Sequence, residues 1–361
     1  MMVGEMSKRR SPMAVARQAG SRRGGWAVLE MCAVAALYYG SAELGLLQQL
    51  VREQVTPLWP PSGIAVTSLL LLGPRVWPGI ALGAFLANIA LGPSVWAVLA
   101  IAAGNTLAPL CSYALLRRAG FRSDLNRLWD ALALIFFGAF TGMLVSATIG
   151  SGTLALTGVL DAADFASAWA VWWTGDAMGV LAVTPLLLVL RSARWPRGVS
   201  MSRWAEVILL AAATVCVGFV ETGSAPLLFL GFPLLIWAGF RFGLAGSAPC
   251  ALAVSTFAIV AAAQGSGPFA GQDLFTQMLT LQAFNGSASL TALLLGVAVG
   301  ERAQTEREIT QACRQLAEMA TRIATSDNRP ALPARRDDQE AVSVESDTAS
   351  GSLPNSRDDR I

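Results

Sequence analysis

Ten apolar segments follow one another along this chain, and they restrict what it can fold into more than any other feature. They lie at roughly 26 to 50, 58 to 73, 75 to 91, 95 to 116, 130 to 157, 169 to 190, 204 to 221, 224 to 240, 244 to 263 and 275 to 299. A helix that crosses a bilayer needs about 20 apolar residues, within a range of roughly 17 to 25. The expected fold is therefore all-α: a polytopic integral membrane bundle of about ten spans. Because the second and third segments are short and run together, eight spans with a re-entrant pair is the alternative count.

Basic residues in short loops set the orientation of such a bundle. With the N-terminus inside, the inner regions collect Lys8, Arg9, Arg10, Arg17, Arg22, Arg23, Arg75, Arg117, Arg118, Arg122, Arg127, Arg191, Arg194, Arg197, Arg203 and Arg241. The outer loops collect Arg52 alone, together with Glu53, Asp161, Asp164, Glu221 and Asp273. Both chain ends are thus expected inside. Residues 1–25 read as a basic cytoplasmic segment retained before the first span, and 26–302 as the membrane domain. Residues 303–326 form a short cytoplasmic helix, and 327–361, polar and without aromatics, a disordered tail.

Only 14% of residues are charged, against about 25% in soluble domains. There is no histidine, which removes imidazole bases, Ser-His and Cys-His nucleophile pairs and a phospho-accepting histidine. The five cysteines, Cys32, Cys111, Cys216, Cys250 and Cys313, are scattered and make neither a disulfide framework nor a zinc spacing. Phosphate-binding loops, nucleophile elbows and nucleotide fingerprints are also missing. The reading is of a protein that is not an enzyme, binds no metal and no nucleic acid, and shows no pattern for a particular cofactor.

Residues 59–88, "WPPSGIAVTSLLLLGPRVWPGIALGAFLAN", combine high hydrophobicity with four prolines and four glycines. Two short helices packed as a hairpin account for the combination, since the breakers then mark helix ends. Pro60 and Pro61 fix the outer entry, Ser62 is placed to cap it, and "GPRVWPG" makes a tight inner turn. Broken backbone at membrane depth is tolerated only where protein or a water-filled cavity satisfies it, so the Trp59–Gly63 bend is a candidate cavity wall. In "WAVWWTGDAMGVLAVTPLLL", Asp176 lies one or two turns inside the sixth span, behind Trp169, Trp172 and Trp173. A carboxylate there costs roughly 2.5 to 3.5 kcal/mol on insertion scales and is a functional candidate by default. Asn88 and Asn105 suit interhelical hydrogen bonds, and Arg241 in "WAGFRFG" sits where it can snorkel to the inner boundary. Beyond the last span, Ile309, Cys313, Leu316, Ala320 and Ile323 recur at alternating four and three spacing, a heptad seam of about two heptads.

Seven pieces in order resemble one family. They are the 59–88 stretch, "IAAGNTLAPLCSYALLRR", "SATIGSGTLALTG", "WWTGDAMGVLAVTPLLL", "FPLLIWAGFRFG", "GSGPF" and "LLLGVAVGER". Together they are similar to the membrane-associated sensor family of the MASE type, its first-described class, over residues 26–302. The resemblance carries the family motif onto Trp59, Pro60, Pro61, Gly63, Trp77, Pro78, Gly79 and Asn88 in the early hairpin. Gly104, Asn105, Trp173, Gly175, Asp176 and Pro185 follow in the middle, then Arg241, Phe242, Gly243, Glu301 and Arg302. It implies an integral-membrane input domain of the kind that precedes a diguanylate cyclase or a histidine kinase.

No such output sequence follows Arg302. The expectation is a stand-alone receptor in a bacterial inner membrane, sensing near Trp59, Trp172, Trp173 and Asp176. It would signal through Glu301, Arg302 and the seam of Ile309, Leu316 and Ile323 to a separate signalling protein or a second copy. A small-molecule transporter or substrate-binding subunit is the alternative from another class, and a truncated receptor that lost its output is the third reading.

Overall fold

The computed structural model describes residues 12–46, 57–192, 200–223 and 227–327. The cations before Pro12, Arg52 and Glu53, Arg194 and Arg197, and the tail from Asn328 lie outside those residues. Among the described residues every element is helical: α1 Pro12–Leu46, α2 Pro60–Leu72, α3 Trp77–Asn88, α4 Val95–Arg118, α5 Leu128–Ala133, α6 Gly142–Leu156, α7 Phe165–Ser192, α8 Met201–Glu221, α9 Gly231–Phe242, α10 Leu244–Ala263 and α11 Leu274–Asp327. A π-helical segment, Leu134–Thr141, joins α5 to α6 without a break. The chain divides into two compact units, Met1–Glu306 and Arg307–Ile361.

Among the described residues, seven helices are long and apolar enough to cross a membrane: Gly25–Leu46, Val95–Arg118, Leu128–Leu156, Phe165–Ser192, Met201–Glu221, Leu244–Phe269 and Thr276–Ile323. Ten were expected. The difference lies in α2, α3 and α9, which have 13, 12 and 12 residues and so extend only about 18 to 20 Å at 1.5 Å per residue.

Side-chain pairings show how α2 and α3 lie against α1. A Cβ on Gly45 would rest 3.4 Å from the Pro60 ring, at the start of α2. At the other end, Arg75 in the α2–α3 turn pairs with Glu30 at 2.9 Å. Gly83 abuts Tyr38, and Gly79 abuts the Met31 backbone. Hence α2 runs antiparallel to α1 and α3 parallel to it, and the hairpin covers the axial length between Glu30 and Gly45, about 22 Å. Gly73, at φ 84, makes the turn before a single 3₁₀ turn, Pro74–Val76; only glycine adopts that conformation cheaply. A second such break at Gly243, φ 60, separates α9 from α10.

The remaining helices are positioned by polar contacts within the apolar core. Ser94 caps α4 by accepting from the Ala97 amide. Ser112 on α4 donates to the Gly138 carbonyl at 2.7 Å, and Trp173 on α7 donates to the Phe140 carbonyl at 2.8 Å. Both carbonyls belong to the π-helical segment, where widening of the helix turns backbone oxygens toward neighbours. Pro109, Pro185 and Pro249 stand inside α4, α7 and α10, as membrane helices permit where neighbours re-satisfy the backbone. Ser247 donates to the Ala292 carbonyl, and Gln277 to that of Ala262, which sets α10 and α11 antiparallel.

Two sequence expectations are corrected. Ser62 does not cap α2: Trp59 occupies the N-cap position without a side-chain cap bond, and the Ser62 hydroxyl points across to α7. Glu221 is not a loop residue; it ends α8 fully buried, its carboxylate against the Gly231 amide at the start of α9, where the helix dipole favours an anion.

Candidate functional site

The α2–α7 contact is made almost backbone to backbone. A Cβ on Gly63 would lie 2.7 Å from the Val183 Cβ and press on the Gly179 carbonyl, and one on Gly179 would press on the Trp59 carbonyl. Trp59, with φ −111 and ψ 87, is too extended to join α2, and its amide donates to the Gly175 carbonyl at 3.0 Å. The Thr184 hydroxyl returns a bond to the Gly63 carbonyl at 3.1 Å. These contacts hold the first turn of α2 against the part of α7 that carries Asp176.

Asp176 is 2% exposed. Its Oδ1 accepts from the Ser62 hydroxyl of α2 and its Oδ2 from the Ser146 hydroxyl of α6, each at 2.5 Å. Both lengths fall in the charge-assisted O–H···O⁻ class. Two such bonds, at about 1.5 to 3 kcal/mol each, are of the same size as the roughly 2.5 to 3.5 kcal/mol that an intramembrane acid costs. The side chain is therefore tolerated because two other helices present hydroxyls to it. Trp172, one turn earlier on α7, lies beside the carboxylate. Its ring lies in space that Gly150 leaves open on α6.

A second polar layer adjoins the first. Tyr38 of α1, fully buried, lies beside Trp59, Asn105 of α4 and Asp176. Four helices that precede α7, namely α1, α2, α4 and α6, thus converge on one carboxylate. Trp59, Asn105, Trp172 and Asp176 are brought together here. Pro60 and Pro61 open α2 beside them and supply its bend.

Other candidates lie elsewhere. Asn88, at the end of α3, donates to the Ala84 carbonyl of its own helix at 2.8 Å. Trp173 turns to Phe140 and stacks on Trp169 with ring centroids 5.8 Å apart. Arg241 makes two bonds to Glu206 of α8, at 2.6 and 2.7 Å, so it is ion-paired and not merely snorkelling. Ser146 and Tyr38 escaped notice in the sequence because hydroxyls are ordinary residues in apolar helices. The one available signal for Ser146 was its place at the head of "SATIGSGT".

At the other end of the bundle, Glu301 of α11 accepts from the Leu128 amide at 2.9 Å. That amide belongs to the first turn of α5, which an anion stabilises. Arg127 stands beside it, its guanidinium held above its ordinary value by its hydrogen bonds to Asp130. Asp130, fully buried, also accepts from the Arg122 amide. The inner loop after α4 is in this way tied to the last span. Arg302 pairs with Glu306 one turn along its own helix at 3.1 Å. In the second unit, Ile309, Leu316 and Ile323 are 59%, 64% and 68% exposed.

No curated protein and no solved structure matches the chain. The MASE1 family model matches residues 31–303, a range that takes in the hairpin, the Asp176 cluster and Glu301. On that match, and with its seven bilayer-length helices, the chain is a multi-pass membrane protein that belongs to the MASE1 family of membrane-associated sensor domains.

Proposed function

We propose that this chain is a sensory input module of a bacterial inner membrane, in which a stimulus acts on the Asp176 cluster and is passed to a separate signalling protein. The observation that carries the reading is the buried carboxylate, held by hydroxyls from α2 and α6 and placed beside Trp172. A site assembled from several helices at one charge responds as a unit: a ligand that competes for Ser62 or Ser146 shifts α7 relative to both neighbours. Such a signal must bind two arrangements with different affinity.

The output runs along α11, through Glu301 and the α5 start, to the apolar face of Ile309, Leu316 and Ile323. Both chain ends lie inside in this reading, and α2, α3 and α9 each complete a crossing. The antiparallel course of α2 along α1, with Arg75 at the level of Glu30, supports the ten-span count. The domain limits are 1–25, 26–302, 303–326 and 327–361.

The test is in-cell photo-crosslinking from position 316, with identification of what is captured and comparison with an Asp176→Asn variant. Capture of a kinase, cyclase or transport subunit, or of a second copy, with a yield that changes at least threefold in the variant, supports the reading. A yield indifferent to Asp176 refutes the sensory role of that residue. Solute uptake by vesicles reconstituted with the purified chain would replace the whole reading with that of a transporter.

A further inference from the structure

Every residue from Gln304 to Ile323 is exposed, the large apolar ones Ile309, Leu316, Met319 and Ile323 included. They belong to one continuous helix, Leu274–Asp327, and along this stretch of it charged and apolar residues fall on different faces. With Ile309, Leu316 and Ile323 at heptad d positions, Cys313 and Ala320 fall at a. Arg307, Glu308, Arg314, Glu318 and Arg322 then fall at b, c and f, on the opposite side. The apolar seam stops at Glu306 and Arg302, which pair with each other at 3.1 Å within the helix.

Three features select the occupant of this seam. Two heptads are close to the roughly 12 to 15 residues at which an isolated helix is itself marginal, so a free helix would not stay bound. The occupant must be delivered by tethering, and a second chain held in the same bilayer arrives at high effective concentration. At e and g, where charged residues ordinarily set partner choice, this chain has Thr305, Thr310, Ala312, Ala317 and Met319. In a parallel pair Thr305 meets Thr310 and Ala312 meets Ala317 of the other helix. An identical copy therefore meets no like charge, and no charge at these positions recruits a foreign helix. Finally, chains inserted under one positive-inside rule share one orientation, so two copies present this segment on the same side of the membrane, parallel and at the same depth.

We propose that Ile309, Cys313, Leu316, Ala320 and Ile323 form a homodimer seam, on which the same segment of a second copy packs parallel and in register. The dimer deepens the proposed output along α11, resting on that reading for its purpose though not for its geometry. Its contact is isologous: Cys313 faces Cys313 across the axis, and Ala320 lets the backbones approach closely. A downstream protein then meets a helix pair, with the charged face of Arg307, Glu308, Arg314 and Glu318 presented twice about the axis.

The experiment is disulfide mapping of the full chain in the membranes that express it. The other exposed cysteines, Cys32, Cys111 and Cys216, are replaced by alanine, and the buried Cys250 is kept. Copper phenanthroline with dioxygen takes two protons and two electrons from each thiol pair, and a bridge forms only where the Cα atoms come within about 7 Å. Native Cys313 and, in a Cys313→Ala background, Ala320→Cys are expected to give dimer at least fivefold above Gln311→Cys and Arg314→Cys, which sit at f and b. Leu316→Glu, which sets like charges against each other at the axis, is expected to cut the Cys313 yield at least fivefold. A yield that is flat across the four positions, no dimer at 313 and 320, or a Cys313 yield indifferent to Leu316→Glu overturns the seam. A foreign helix in the seam gives the second of these results. The readout does not pass through Asp176, so its failure leaves the sensory reading of that cluster standing, while a capture at position 316 indifferent to Asp176→Asn would leave the seam standing.

Discussion

The Ser62–Asp176 bond joins residues 114 positions apart, and a double-mutant cycle across it measures how far the carboxylate organises the bundle. The singles are Ser62→Ala and Asp176→Asn, and the double variant closes the cycle. Ser146 has a fallback when Asp176 changes, because its hydroxyl also reaches the Met143 carbonyl at 3.0 Å. Ser62 makes no other side-chain bond among the described residues, so it loses its whole interaction. A bond to a charged acceptor contributes about 1.5 to 3 kcal/mol, and the coupling energy is expected in that range. Asp176→Asn alone should be milder than Asp176→Leu, since an amide still accepts from one hydroxyl and donates to the other. The assay is unfolding of the four proteins in nanodiscs, followed by circular dichroism over a common denaturant range. A coupling below about 0.5 kcal/mol, the scatter of independent sites, would refute the argument that the acid is held by these hydroxyls.

Gly179→Ala drives a methyl onto the Trp59 carbonyl; since backbone must move to relieve it, a loss of about 1 to 3 kcal/mol is expected, and unchanged unfolding would contradict the close α2–α7 approach. Glu301→Ala frees the Leu128 amide, so hydrogen exchange at Leu128 should accelerate several-fold while exchange in the core of α7 stays as it was. Glu206→Gln breaks an exposed ion pair with Arg241, for which a loss under about 1 kcal/mol is expected; a larger loss in the unfolding assay would show that the pair is shielded by lipid.

Span positions were legible because hydropathy is a property of consecutive residues. The edges of α4, α7 and α10 fall within a few residues of the apolar segments that announced them. The 59–88 hairpin was legible for a local reason too, since Pro60, Gly73 and Pro78 mark helix starts and the turn, where proline and glycine cost least. Lengths were harder: α2 and α3 are shorter than their apolar runs, and α9 begins only at Gly231, after its run has started. Asp176 announced itself, being a charge where charges are expensive.

What surrounds Asp176 was decided only in three dimensions. Ser62 looked like a helix cap, and Ser146 and Tyr38 like ordinary members of apolar helices, until the packing of α1, α2, α4, α6 and α7 brought them around one carboxylate. The same holds for Glu221, an outer-loop acid by position that tertiary contact buries against Gly231. The sequence by itself determined that the chain is membrane-bound, helical and sensor-like, since the bilayer acts on each segment separately and composition records its demand. Partnerships among polar groups were left to the tertiary structure, because a hydrogen bond depends on distances of a few ångströms between residues that the chain order keeps far apart.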